Sequence, residues 1–184
     1  MLVEPMIRSR VGAFIAVLAL VASPCPADEW IRYAADAGAF VLELPSSDLV
    51  EFPGGHFRTP DGFVPKDGVV CEWSGGRVSI SWAGYSEKFL ARYSAEDLLV
   101  SAARTISDQA DRFPDTRTEQ VMLDDHPGLE LYALHQLGDQ FVHTRLFLID
   151  GRMYQVIVVG HPERTLEGDV QRIFKSVRTG GNAP

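Results

Sequence analysis

The sequence predicts an α+β domain: an antiparallel β-sheet flanked by helices, in the form of an α/β/α sandwich. Three observations carry this. Residues 128–177 read as strand (GLELYALHQ), turn (LGD), strand (QFVHTRLFLI), turn (DG), strand (RMYQVIVVG) and a closing helix within HPERTLEGDVQRIFKSV. Those strands are apolar on both alternating sets of side chains, so both faces of the sheet need cover. Residues 94–113 supply a second helix that can provide it.

Residues 1–27 read as an export signal and not as part of the fold. Arg8 and Arg10 precede an apolar run at 11–22, which is too short to span a bilayer. Cys25 and Ala27 are the small residues that place cleavage after Ala27. Lipidation at Cys25 is the alternative, but Pro24 stands where a lipobox needs Gly, Ala or Ser. The chain carries a formal net charge of −8, and residues 1–27 contribute +1 through Arg8, Arg10 and Glu4. Residues 28–184 therefore form a single domain with a charge of −9, which excludes long-range attraction to nucleic acid or anionic lipid. No second long apolar run follows, so no stable membrane insertion is expected after signal removal, and the location is periplasmic or secreted. Cys71 is then the only cysteine, and on a strand (VVCEW) it reads as a small buried hydrophobe.

Residues 30–33 and 40–44 are short strand candidates around the break AADAGA. Residues 46–67 hold Pro53, Pro60, Pro65, Gly54, Gly55 and Gly62 and read as a long loop, which is unusual inside a compact domain. Its Phe52, His56, Phe57, Arg58 and Phe63 make it either a contact surface or a lid packed back onto the sheet. Residues 68–73 and 77–82 flank Ser74-Gly75-Gly76, a hairpin signal. In the 94–113 helix, Ser94 and Asp97 resemble a capping box. Leu98, Leu99, Ala102, Ala103, Ile106, Ala110 and Phe113 form its apolar stripe, and Pro114 ends it. A strand at 118–123 and a turn at 124–128 follow.

Asp150-Gly151 is a two-residue turn signal, so Phe147 should oppose Tyr154. Taking Gly138-Asp139 as the preceding turn sets Tyr132 opposite Arg145 and Glu130 diagonal to it. Alternation then places Leu129, Leu131, Ala133, Leu146 and Ile157 on one face. Glu130, Tyr132, His143, Arg145 and Tyr154 fall on the other. These five are the best polar constellation: Arg145 can bind a carboxylate beside His143 and the tyrosines, or the groups simply satisfy one another. The closing helix, at 166–176, offers Leu166, Val170, Ile173 and Phe174, with Val177 just beyond it, to cover one side.

The strings FVLELP, HPGLELY, RLFLIDGRMYQVIVVG and RIFKSV, with the order hairpins, helix, antiparallel strands and closing helix, resemble the Mog/PsbP-like group. The likeness covers most of residues 38–178 and is nearest to the exported bacterial, DcrB-like members. It implies protein binding without established catalysis, and it supplies no catalytic set to carry over.

No metal-ligand spacing, nucleophile elbow or paired-carboxylate arrangement occurs, so neither a metal nor a cofactor is expected. The functional expectation is an exported, non-enzymatic module binding a protein or small ligand in the cell envelope. The alternative is a small envelope hydrolase or lyase using the Tyr132/His143/Arg145 face.

Overall fold

The computed structural model describes residues 29–180 apart from 47, 53–54 and 108–112, and no side chain is described at 105–107. The expected export signal with its cleavage site, Pro53 and Gly54 of the expected loop, and Ala110 of the expected helix stripe lie outside the described residues. In chain order the strands are β1 (Ile31–Ala35), β2 (Phe40–Leu44), β3 (Leu49–Glu51), β4 (Gly55–Thr59), β5 (Gly62–Trp73), β6 (Gly76–Gly84), β7 (Asp115–Leu123), β8 (His126–Leu134), β9 (Phe141–Ile149), β10 (Arg152–Gly160) and β11 (Arg178–Thr179). Helices α1 (Glu87–Leu90) and α2 (Ala95–Ser107) join β6 to β7, and α3 (Glu167–Lys175) follows β10.

The main sheet runs β3-β5-β6-β10-β9-β8-β7, with β4 paired to β5; β1, β2 and β11 form a second, three-stranded sheet. All the pairings are antiparallel. The Asp150-Gly151 hairpin forms as expected, with φ of 47° and 77° at its two residues. Both lie in the left-handed region that a tight hairpin turn requires, which an Asp-Gly pair tolerates. Phe147 pairs with Tyr154 accordingly.

The β8–β9 register differs from the expectation by two residues. Glu130 pairs directly with Arg145, and Tyr132 with His143. The connection is not a two-residue turn but residues 135–140, closed by His135 N–H to the Gln140 carbonyl at 2.8 Å. A slip of two preserves side-chain parity, so both face assignments survive.

One face is covered by α2. Leu98, Leu99, Ala102 and Ala103 bury against Leu129, Leu131, Ala133, Leu146 and Met153. The capping box forms: Asp97 N–H donates to Ser94 Oγ at 3.1 Å, and Ser94 N–H to Asp97 Oδ2 at 3.2 Å. The opposite face is covered by α3 together with the small sheet, not by a helix alone. Val170, Ile173, Phe174 and Val177 join Phe40, Leu42 and Leu44 of β2 over Phe147, Tyr154, Val156 and Val158. Leu166, expected in the α3 stripe, instead precedes the first turn and is exposed.

The expected loop at 46–67 is mostly strand. β3, β4 and the first half of β5 occupy it, and β4–β5 is a hairpin that overhangs the main sheet. Pro65 is accommodated because β6 begins to pair with β5 only at Asp67, so the Pro65 stretch has β4 as its sole partner among the described residues. The overhang folds Phe57 onto α2, where it is 2% exposed.

Candidate functional site

The expected constellation divides into two clusters. On β8 and β9, Glu130 sits between His143 and Arg145. Arg145 Nη2 donates to both Glu130 oxygens at 3.1 Å, and His143 Nε2 lies 2.5 Å from Oε1. Burial pushes the Glu130 carboxyl up, but the bonds from His143 and Arg145 and the arginine charge outweigh it, and the group stays below its ordinary value. Burial lowers His143 despite the neighbouring carboxylate. The neutral imidazole therefore donates from Nε2 and keeps Nδ1 as an acceptor.

Phe174 of α3 caps this cluster. Its ring lies 4.8 Å from the Arg145 guanidinium and 4.4 Å from the His143 ring, and its carbonyl accepts from Arg145 Nη1 at 3.3 Å. Glu130 and Arg145 are thus spent on structure. What reaches solvent is a groove of about 380 Å³ beside the start of α3. Tyr132, Phe141 and His143 wall one side, and Glu167, Val170 and Gln171 the other. Tyr132 stacks on Phe141 at 5.9 Å and meets His143 edge-on at 5.8 Å. The volume lies in the range of small-ligand sites.

Tyr154 is not part of this group. It is 1% exposed, stacks on Phe40 at 4.8 Å, and donates to Asp36 Oδ2 at 2.7 Å. Arg152 Nη1 donates to the same oxygen. Burial and the bond to Asp36 raise the Tyr154 phenol well above its ordinary value. Asp36 sits in the β1–β2 turn with φ of 50°, followed by Ala37 at 54° and Gly38 at 92°. AADAGA announced a turn in the sequence, but nothing local announced that its aspartate would hold a phenol 118 positions away.

The residues expected on a contact loop scatter. Phe57 is core. His56 and Phe63 are exposed and meet edge-on at 6.3 Å, with Phe63 69% exposed. Arg58 is half-buried. Phe52 lies over Gly68, where a side chain would fall 2.5 Å from the Phe52 ring. Phe141, Glu167, Val170 and Gln171 of the groove were not expected as site residues. The clue available was that residues 161–166 had to carry α3 back over the histidine-bearing face.

Among the described residues no helix is long and apolar enough to cross a membrane. No protein-family model matches the chain, and no curated protein matches it. The architecture nonetheless defines a class, the PsbP-like α+β fold. Cyanobacterial PsbP (CyanoP) from Synechocystis sp. PCC 6803 superposes with a TM-score of 0.51 at 14% identity, covering 83% of this chain and 93% of that one. A protein of unknown function from Pseudomonas aeruginosa aligns with a TM-score of 0.34 at 12% identity, covering 73% and 84%. The first likeness shows the fold and nothing of the activity.

Proposed function

We propose that the chain is an exported, non-enzymatic binding module of the cell envelope, a DcrB-like variant of the PsbP-like fold, which takes a small ligand in the groove beside α3. The observation that carries this reading is the division of labour around Glu130. Its charge is matched by Arg145, neutral His143 donates a hydrogen bond to it, and Phe174 closes the cluster off, so neither Glu130 nor Arg145 lines the groove. A hydrolase or lyase needs a reactive group at the cavity. Here the groove presents two stacked aromatic rings, an imidazole, an amide and the Glu167 carboxylate, and among the described residues no hydrogen bond joins His143 to Glu167 or Thr165 as a catalytic pair, an arrangement that suits recognition.

The test is an NMR titration with small-molecule extracts of an envelope fraction. Amide shifts should cluster at Tyr132, His143 and Gln171 and vanish in Tyr132→Ala. Shifts confined elsewhere would refute the site. If the purified protein turns over an ester or glycoside, and His143→Ala abolishes this without unfolding, the enzyme reading replaces it. Intact mass of protein recovered from the periplasm tests export, with an N-terminus at Asp28 expected.

A further inference from the structure

A second cavity, of about 530 Å³, lies at the other end of the same sheet face, under the β1–β2 turn. Its walls combine three aromatic rings with three carboxylates: Tyr33, Phe52 and Trp82 with Asp36, Glu51 and Asp67. Among the described residues no basic side chain lines it. The register makes this arrangement consistent. Asp67 pairs with Trp82 across β5 and β6, and Glu51 pairs with Val69, so these residues project to the face where Tyr33 and Asp36 arrive from the small sheet. Phe52 completes the wall by lying over Gly68, in space that any side chain there would fill.

Two of the three carboxylates keep their charge unmatched among the described residues. Asp36 is matched by Arg152, but both the Arg152 and Tyr154 bonds go to Oδ2, and Oδ1 makes no hydrogen bond among the described residues. Glu51 and Asp67 form no ion pair among the described residues. The negative potential is felt locally: burial, and after it the charge of Glu51, raise the Tyr33 phenol. The turn that brings Asp36 here holds two successive non-glycine residues in the left-handed region, Asp36 and Ala37. Strain of that kind persists where the surrounding structure requires it. The carboxylates are not grouped closely enough for a metal ion.

We propose that this cavity binds a small organic ammonium, quaternary or heavily alkylated, free in solution. Aromatic faces attract a diffuse cation through their quadrupole, and alkyl groups on nitrogen fill an aromatic cavity that a hydrated metal ion does not. The carboxylates supply the compensating charge without a tight coordination shell. They also oppose a ligand carrying a phosphate beside the cation, which favours a free solute over a lipid headgroup. This site is separate from the groove beside α3, and neither reading depends on the other.

Choline is the probe, with 3,3-dimethylbutan-1-ol as its uncharged isostere and glycerophosphocholine as the headgroup analogue. Binding is followed by amide shifts. Choline should give saturable shifts at Tyr33, Asp36, Phe52, Val69 and Trp82. The isostere should bind about tenfold more weakly or less, the loss of ~1.4 kcal/mol expected of a partly desolvated cation–aromatic contact. Glu51→Gln with Asp67→Asn, both near-isosteric changes at exposed side chains, should weaken choline about tenfold and leave the rest of the spectrum unchanged. Trp82→Leu should abolish binding. Equal affinity for the neutral isostere, unchanged affinity in the double variant, or shifts at other residues would overturn the assignment. Tighter binding of glycerophosphocholine than of choline would overturn the free-solute part.

Discussion

Lys66 gives the sharpest test of how this protein is held together. The β4–β5 overhang lays its stem across Gly55, where a side chain would fall 2.7 Å from the Lys66 Cε. Its ammonium sits 4.7 Å from the centre of the Phe57 ring and donates to the buried Gln155 Oε1 at 2.9 Å. No carboxylate pairs with it among the described residues, and burial lowers the amine from its ordinary 10.5 to about 8. The unfolded chain therefore binds this proton more tightly than the folded one, which costs up to ~3 kcal/mol of stability below pH 8. The penalty lifts as pH rises from about 8 towards 10.5. Lys66→Met removes it, keeps apolar contact with Phe57, and forfeits one hydrogen bond worth ~1 kcal/mol. Gln155 Oε1 keeps the Ser81 hydroxyl, 3.4 Å away. The variant should be about 2 kcal/mol more stable than the parent at pH 7, with the gap closing almost fully by pH 10. Tyr85, pushed up to about 12 by burial, adds a loss of stability at higher pH that is common to both proteins. Urea unfolding of both from pH 6 to 10 measures the difference. Parallel curves across that range would show that the ammonium is solvated in the folded state, and the packing of the overhang described above would be wrong.

Phe57→Ala should cost about 3–5 kcal/mol by calorimetry, because the ring fills the α2 core, whereas Phe63→Ala, at an exposed ring, should change stability by no more than ~0.5 kcal/mol. Leu146→Asp places a carboxylate at a fully buried position and should prevent folding as judged by near-ultraviolet circular dichroism, while Lys175→Asp on the exposed side of α3 should melt close to the parent. Glu130→Gln should cost about 2 kcal/mol at pH 7 by leaving Arg145 without its counter-charge. Because the Glu130 carboxyl is held below its ordinary 4.5, that contribution is present above this value and lost as pH falls through the folded one; the two denaturation curves should therefore converge in acid.

The legible parts of this fold were those set by neighbours in sequence. Asp150-Gly151 fixed its own turn, and with it the Phe147–Tyr154 pair, because the backbone twist of a two-residue hairpin leaves no other solution. Ser94 and Asp97 fixed the start of α2 for the same reason. Gly138-Asp139 carried a similar signal and misled. The chain closes instead with a bond from Gly138 N–H to the His135 carbonyl at 2.7 Å, inside a longer connection that only the pairing of Leu134 with Phe141 determines. The prolines of 46–67 misled in another way. Pro65 forbids a strand only where a neighbour needs its missing N–H, and which side of β5 lacks a neighbour is a property of the whole sheet.

The same distinction explains the sites. Glu130, His143 and Arg145 were legible as a cluster because alternation on adjacent strands puts them on one face whether the register is right or off by two. Tyr154 shares that parity, yet it lies on the far side of β9, and parity says nothing of which layer descends on a given stretch of sheet. Over β8 and β9 that layer is α3, which covers the charges with Phe174 and leaves a groove at its own start. Over β5 and β6 it is the β1–β2 hairpin, whose left-handed turn delivers Asp36 to Trp82, Glu51 and Asp67. Both cavities therefore exist for one reason. A composite layer of one nine-residue helix and three short strands is too small to cover a face of this length, and the aromatic residues left at its two ends are partly open to solvent. Tyr132 meets solvent at one end, stacked on buried Phe141 with the carboxylate matched by Arg145 behind them, and Tyr33 and Trp82 are partly open at the other with two carboxylates that form no ion pair among the described residues. On the proposals made above, that difference makes the second cavity the cation site.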